Sequence, residues 1–380
     1  MIYFDNSATT AIHPAVLQTY MQTAQKVMGN PSSLHRLGEQ AKVLLQKARG
    51  QIASLLHCQP NEIIFTSGGT EGDNWVLKGT AIEKQSFGNH IIVSAVEHPA
   101  VMDTAYQLQQ LGFDVDIAPV DKNGRVDIQA LQKLLKKETI LVSVMAVNNE
   151  IGVIQPIKEI AKLLEDYPSI HFHVDAVQAI GKIPLPEFLP ERVDFATFSA
   201  HKFHGPRGIG FLYWKEGKRL APLMNGGGQE QNRRSGTENL PAIVAQARAL
   251  RLLLEGEEEK QRYERHFIQS LKEALAKYPK VHLFTPEQYT APHILCFGIE
   301  GVRGEVLVHA LEQHDIFIST TSACSSRKKL PAGTLKAMNI PQNLAEIAVR
   351  ISIDEANKSD ELAQFMSVFD QLYNQLSIIN

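Results

Sequence analysis

Two short apolar runs that end on polar residues constrain this chain more than anything else in it. His171-Phe-His-Val-Asp175 closes on a carboxylate, and Asp194-Phe-Ala-Thr-Phe-Ser199 runs directly into Ala200-His-Lys202. Lys202 follows Asp175 by 27 positions, the length of one αβ unit, so the two residues are expected at the ends of neighbouring strands. In open α/β sheets the carboxyl edge of the strands is where ligands bind. A carboxylate in such a run is costly to bury without a partner: a cationic cofactor nitrogen would serve, and so would a nearby arginine or backbone amide. A lysine held at a strand end before the glycine-rich Phe203-His-Gly-Pro-Arg-Gly208 has the setting of a Schiff-base nucleophile. Most lysines are merely solvated charges, so Lys202 needs company elsewhere in the chain.

That company is present upstream. Asn61-Glu-Ile-Ile-Phe-Thr-Ser67 reads as a buried strand, Gly68-Gly-Thr-Glu-Gly-Asp-Asn74 as a glycine loop, and a helical pattern starts at Trp75. Backbone N–H groups around Gly69 at a helix start, with the hydroxyl of Thr70, make a cup for an anion such as phosphate. The loop is neither a dinucleotide-binding glycine motif nor a P-loop, which disfavours a nucleotide. The strand His90–Val96 ends on Glu97-His98, and a histidine at that edge is a candidate acid, base or stacking ring. Further strands are expected at Val115–Val120 and Ile140–Val147. The second ends in Asn148-Asn149, whose amides can bond a ligand or their own turn. Gly29-Asn-Pro-Ser-Ser33 is a turn-rich loop that suits either a site wall or a plain connector.

Helices are expected after Pro14, over Gly38–Leu56 and near Ile157–Asp166, with a long charged helix from Leu240 through Ala276 that bridges two domains. The C-terminal part reads as strands Ile294–Ile299, Ile316–Thr320 and Val349–Ile353, with helices Glu305–His314, Leu335–Met338 and Asp360–Leu376. This is a small α+β unit. The 380 residues, 44% hydrophobic and 21% charged, suffice for two domains. A net charge of −3 offers no general attraction to nucleic acid or an anionic membrane. The start of the chain lacks a charged and then apolar leader, and no long apolar run follows, which implies a cytoplasmic protein.

Cysteines number three, odd and widely spaced, which argues against a disulfide framework or a zinc site. Cys296 sits in an apolar run as a core thiol, and Cys58 reads as structural. Cys324 differs: it stands in the polar stretch Ser319–Ser326, followed by Arg327-Lys-Lys329, where nearby cations favour the reactive thiolate.

Taken together, the strand-end Asp175, the Ser-Ala-His-Lys run to Lys202, the Ser-Gly-Gly-Thr cup and the strand-end His98 resemble fold type I pyridoxal-phosphate enzymes of the class V aminotransferase family. More narrowly, Gly29-Asn-Pro-Ser-Ser33, Asn148-Asn-Glu-Ile-Gly152, His173-Val-Asp-Ala176, Arg234-Ser-Gly-Thr-Glu238 and Ser322-Ala-Cys324 are similar to motifs of the cysteine desulfurases, and the resemblance runs from about Tyr3 to Ile353. It implies an α/β fold with a large, mostly parallel central sheet over residues 13–255. Residues 1–12 and 256–380 would form a small α+β domain carrying the cysteine loop.

The resemblance also implies site roles. Lys202 would hold pyridoxal 5'-phosphate covalently, Asp175 would bond its ring nitrogen, and His98 would stack on the ring and shuttle protons. Gln178 and Asn149 would meet the phenolic oxygen, with Asn149 also near the substrate. Gly69, Thr70, Ser199 and His201 would take the phosphate, and Thr237 would reach the phosphate of a second subunit in a homodimer. Arg350 would hold the substrate carboxylate, and no metal is implied. The activity implied is conversion of L-cysteine to L-alanine, with a persulfide on Cys324 and transfer of sulfur to an iron–sulfur scaffold or a tRNA-thiolating enzyme. A selenocysteine lyase or class V aminotransferase is the alternative within the fold, and a low-activity sulfur-pathway partner protein is the alternative outside catalysis. Two departures from the desulfurase pattern stand out: Thr321 replaces a usual glycine before Ser-Ala-Cys, and Val349-Arg-Ile-Ser-Ile-Asp354 replaces a strand that usually ends in Leu-Gly.

Overall fold

The computed structural model describes residues 1–321 and 333–376. Its strands are β1 (Ile2–Tyr3), β2 (Ile63–Thr66), β3 (His90–Ser94), β4 (Asp114–Ala118), β5 (Thr139–Ser143), β6 (His171–Asp175), β7 (Phe195–Ser199), β8 (Gly210–Trp214), β9 (Val281–Leu283), β10 (Ile294–Ile299), β11 (Ile316–Phe317), β12 (Ser319–Thr320) and β13 (Val349–Ser352). Seven of them form one sheet in the order β2-β8-β7-β6-β5-β3-β4. The run β7-β6-β5-β3-β4 is parallel throughout, and β8 lies antiparallel between β2 and β7. Helices cover both faces, so β2, β3, β5, β6, β7 and β8 are buried along their whole length. Such strands read as continuous apolar runs in sequence.

The register sets the site. Asp175 pairs with Thr197 across β6 and β7, so the carboxylate and the Ser199–Lys202 turn leave the same sheet edge side by side. The 27-residue spacing therefore predicts the juxtaposition correctly. Sequence reading misses β8, because Gly210-Phe-Leu-Tyr-Trp214 follows a tight turn and returns antiparallel, outside the αβ rhythm.

Two helix expectations need correction. The helix expected from Trp75 begins at Gly69 and runs to Lys84, because glycines that sequence rules assign to a loop are needed here for close packing. A Cβ on Gly72 would lie 2.6 Å from Thr197 Cγ2. The long charged helix is two helices, Leu240–Leu254 and Glu257–Leu275, separated at Gly256 by a left-handed φ of 69°. The first packs Leu240, Ile243, Leu250 and Leu253 into the core beside the large sheet. The second turns Phe267, Ile268, Leu271 and Leu275 into another core, shared with Ile2, Phe4, Phe297, Ile351 and Phe369. That second core lies against the four-stranded antiparallel sheet β12-β13-β10-β9. Each large side chain sealed this way contributes about 1.5–3 kcal/mol. Among the described residues no helix is long and apolar enough to cross a membrane.

Candidate active site

A cavity of about 410 Å³ opens at the carboxyl edge of the large sheet. Gly69, Thr70, His98, Asn149, Asp175, Gln178, Ser199, His201, Lys202 and Arg350 all line it. These residues come from stretches far apart in sequence: most lie at or just after the end of a strand of the large sheet, whereas Arg350 comes from within β13.

At one end lies the anion cup. Gly68 adopts φ 152°, open to glycine alone in practice, and an added Cβ would meet Ser199 Oγ at 3.6 Å. The Gly69–Lys84 helix starts here, its first N–H groups have no acceptor within the helix, and Gly69 and Thr70 line the cavity with Ser199 and His201. His201 is held by Thr9, with Nδ1 3.2 Å from its Oγ1, and burial together with Lys202 and Arg207 pulls its pKa down to about 4. It is therefore a neutral hydrogen-bonding ring near pH 7.

The floor is a set of buried carboxyls. Asp175 is 5% exposed, and its Oδ1 accepts the Val177 N–H at 3.0 Å. Burial raises its pKa, against the opposing pull of His98, the Val177 amide and Lys202. Behind it stands Asp73, 2% exposed, whose pKa burial and the neighbouring Asp175 drive well up. Asp73 leads into a chain of buried groups: His173 Nε2 lies 3.6 Å from its Oδ1 and 3.0 Å from Thr197 Oγ1, and His173 Nδ1 lies 2.8 Å from Ser143 Oγ. His173 is thus an internal fastener of the sheet rather than part of the cavity wall. Glu97 completes the floor. It accepts from Ser94 Oγ and from Met145 N–H, and burial pushes its carboxyl up to about 8.

His98 caps the helix Pro99–Gln110, with Nδ1 accepting the Ala100 N–H at 3.1 Å. An acceptor at Nδ1 leaves the proton of the neutral ring on Nε2. Burial and Lys202 lower the pKa of His98, while Asp175 and Asp103 work the other way. The amine of Lys202 is fixed by the N-terminal segment: Nζ donates to Ser7 O at 2.6 Å and to Ala8 O at 2.8 Å. Gln178 Nε2 donates to the same Ser7 carbonyl at 2.9 Å.

The two adjacent asparagines divide the roles that sequence left open. Asn148 spends its amide on the fold, donating to Val96 O and Thr334 Oγ1 and accepting from the Glu150 and Ile151 N–H groups. Asn149 lines the cavity. Arg350, 6% exposed, is held by Asp5 Oδ1 at 2.6 Å and Asn149 O at 2.8 Å. Thr321 and Gly333, which flank residues 322–332, both line the cavity. Cys324 itself lies outside the described residues. Thr237 is exposed and is not part of the cavity wall, while the adjoining Arg234 is clamped in two places to Glu71, at 2.9 and 3.2 Å, beside the anion cup. Cys58 and Cys296 have the inert character expected of them: burial raises the first to about 12 and the second further.

Sequence reading misses Asp73, Glu97 and the Ser7–Ala8 carbonyls. Asp73 lies one turn after Gly69 on the helix face that packs on the sheet. Glu97 directly precedes the histidine already singled out, and the small polar run Asn6-Ser-Ala-Thr-Thr10 forms no amphipathic pattern of its own. Those were the available signals.

A strand-end lysine, a buried carboxylate on the neighbouring strand and an anion cup at a helix start, on one edge of a mostly parallel sheet, define a fold type I pyridoxal-phosphate enzyme. The Aminotransferase class-V family profile matches residues 2–365. The chain is 55% identical to the NifS/IcsS protein homolog of Lactobacillus delbrueckii subsp. bulgaricus, over 100% of this chain and 99% of that one. It is 38% identical to the cysteine desulfurase IscS of Dictyoglomus turgidum, over 100% of this chain and 96% of the relative. It superimposes on a solved NifS-like protein with a TM-score of 0.93 at 37% identity, covering 99% of this chain and 100% of the other. The chain belongs to the cysteine desulfurases of the class-V aminotransferase family.

Enzymes of this family use pyridoxal 5'-phosphate, and the cavity suits it. Asp175 is a buried carboxylate without an arginine or lysine ion pair among the described residues, as a protonated ring nitrogen requires. The glycine cup turns on Gly68, whose φ of 152° favours glycine, and Lys202 is oriented by two carbonyls.

Proposed function

We propose that this chain converts L-cysteine to L-alanine and retains the sulfur as a persulfide on Cys324. One observation carries the reading: Lys202, Asp175, His98 and Arg350 line a single cavity whose rim includes both residues flanking the Cys324 segment. Three residues of chain span at most ~11 Å, so Thr321 tethers the thiol within reach of the cavity. When bound, pyridoxal phosphate supplies an electron sink for charge left at the substrate α-carbon.

The protein does the rest. Lys202 Nζ would hold the cofactor and would be the amine that carries the α-proton. Asp175 would pair with the cationic ring nitrogen of the cofactor, and burial, which raises the pKa of Asp73 and Glu97, limits the like charge that those two add. His98 holds a proton at Nε2 and can hand it across the cavity. Arg350, pre-oriented by Asp5, offers its guanidinium to the substrate carboxylate. The Cys324 thiolate attacks the substrate sulfur: an S–S bond forms as the C–S bond breaks, and the carbon takes that electron pair and a proton to become alanine. No external oxidant or reductant is needed.

Replacing Cys324 with serine tests this. The variant should keep a borohydride-reducible link to Lys202, because that link uses no thiol, and release almost no alanine. In the parent, mass spectrometry after brief exposure to cysteine should find one added sulfur on the Cys324 peptide alone. Alanine formation by the variant at the parental rate would remove Cys324 from the reaction, and transamination of cysteine with a keto acid by the parent, with no persulfide formed, would replace this reading with the aminotransferase one.

The same reading extends to organisation. We take residues 13–255 as the cofactor-binding domain and residues 1–12 with 256–380 as the smaller one, in line with the two cores and the left-handed Gly256 between them. We read exposed Thr237, on a loop anchored beside the cup by Arg234 and Glu71, as serving a second subunit in a homodimer. Sedimentation should show two chains per particle, and a monomer that binds cofactor tightly would end this claim. The sulfur acceptor is a cytoplasmic protein, either an iron–sulfur scaffold or a tRNA-thiolating enzyme. Sulfur-transfer assays with each would choose between them.

A further inference from the structure

Behind the catalytic lysine, where the Lys202 turn meets the end of β13, three potential metal ligands converge outside the machinery described above. His204 Nε2 lies 3.4 Å from Asp354 Oδ2 and 3.9 Å from Glu355 Oε2, and the three ligand atoms all fall within 4.8 Å of one another. The tautomer is decided on the other side of the ring. Nδ1 lies 3.0 Å from the Ala11 carbonyl, which can only accept, so Nδ1 carries the proton. Nε2 of the neutral ring then presents a lone pair to two carboxylate oxygens.

Three acceptors facing one another need something positive between them. An imidazolium would do it, but charge-assisted N–H···O contacts close to about 2.7–2.9 Å, and both distances here are longer. Ligands about 2.1 Å from a tetrahedral metal ion stand about 3.4 Å apart, the His204–Asp354 separation. A histidine that donates its second nitrogen to a backbone carbonyl is also the usual arrangement of a metal-bound imidazole. A second, independent observation points the same way. His293 is 2% exposed, its Nδ1 has no hydrogen-bond partner among the described residues, and it lines a small cavity together with His204 and Asp354. Glu355 Oε2 is likewise sealed from solvent without a hydrogen bond.

Nearby cations do not cancel the site. Lys182 is paired to Glu264, and Lys260 approaches the other Glu355 oxygen, Oε1, at 3.4 Å. Lys202, which lines the same small cavity, gives its amine to the Ser7 and Ala8 carbonyls.

We propose that His204, Asp354 and Glu355 bind one divalent transition-metal ion of the zinc type, joining the Lys202 turn to the strand that carries Arg350. Asp354 is the residue at which that strand departs from the desulfurase pattern.

Zinc ion alone, titrated calorimetrically into chelator-treated holoenzyme, tests the site. The Cys324→Ser background removes the most reactive thiol as a competing ligand. One zinc per chain is expected, with affinity at least about tenfold weaker in His204→Asn and in Asp354→Asn. Asparagine tolerates the left-handed backbone of His204, φ 62°, and can still donate to the Ala11 carbonyl. Asp354→Asn keeps the Oδ1 that accepts the Ala356 N–H, so it decides alone if the other variant fails to fold, as judged by circular dichroism and cofactor absorbance. Absence of zinc binding, or binding unchanged by the substitutions, overturns the proposal and leaves an ordinary imidazolium–carboxylate cluster.

Discussion

The floor of the cavity and its rim are built in opposite ways. The floor is supplied by parallel strands and the helix packed on them: Asp175 closes β6, Glu97 follows β3 and Asp73 lies on the Gly69–Lys84 helix, and burial keeps protons on all three more readily than in water. The rim is supplied by segments that meet only in the folded chain: the Ser7–Ala8 carbonyls, Arg350 on β13 with its Asp5 partner, and the flanks of residues 322–332. A floor locked by sheet register can hold charge at fixed positions through the reaction, whereas a rim made of remote pieces is suited to recognising and releasing substrate. Floor substitutions should therefore lower kcat, and rim substitutions should raise KM.

The sharpest test is Lys202→Ala. With Lys202 as the proposed covalent anchor and mobile base, its loss should cost on the order of 10⁴-fold or more in kcat, and the borohydride-reducible link should vanish. A reducible link found on another lysine would remove the floor's central residue from the argument. Next is Asp175→Asn, which keeps the shape and the Val177 bond but withdraws the charge. A loss of about 10²–10³-fold in kcat with little change in KM is expected from steady-state assays. If KM moved instead, Asp175 would belong with the rim.

Arg350→Ala should act the other way, raising KM for cysteine about 10–100-fold, the worth of a charge-assisted pair, with a smaller change in kcat. An unchanged KM would break the comparison from the rim side. The smallest effect concerns stability. The Glu97 carboxyl ionises near 4.5 when unfolded and near 8 when folded, so in this window the folded state binds more protons and its stability falls as pH rises. Glu97→Gln cannot ionise and should lack that contribution. Its stability relative to the parent, from urea unfolding, should therefore rise between pH 5 and pH 8, and parallel pH profiles would show that Glu97 is not held protonated.

Sequence determined the parts of this protein that depend on local pattern and on spacing along the chain. Apolar runs capped by Asp175, His98 and Ser199 identify strand ends, and a 27-residue interval obliges two such ends to be neighbours, because a parallel crossover has little freedom in length or hand. The juxtaposition of Asp175 with the Lys202 turn follows from these facts. Only the tertiary structure decided which of two adjacent asparagines faces the cavity, since Asn148 and Asn149 are chemically identical and differ in what folds against them. It also decided that the Gly68–Gly72 stretch opens a helix rather than a loop, because the approach of that helix to Thr197 is a contact between residues 125 positions apart. The raised carboxyls of Asp73 and Glu97, the clamp of Ser7 and Ala8 on Lys202, and the meeting of His204 with Asp354 are of the same kind. Burial and electrostatic coupling depend on everything that surrounds a group, and most of those surroundings are distant in sequence.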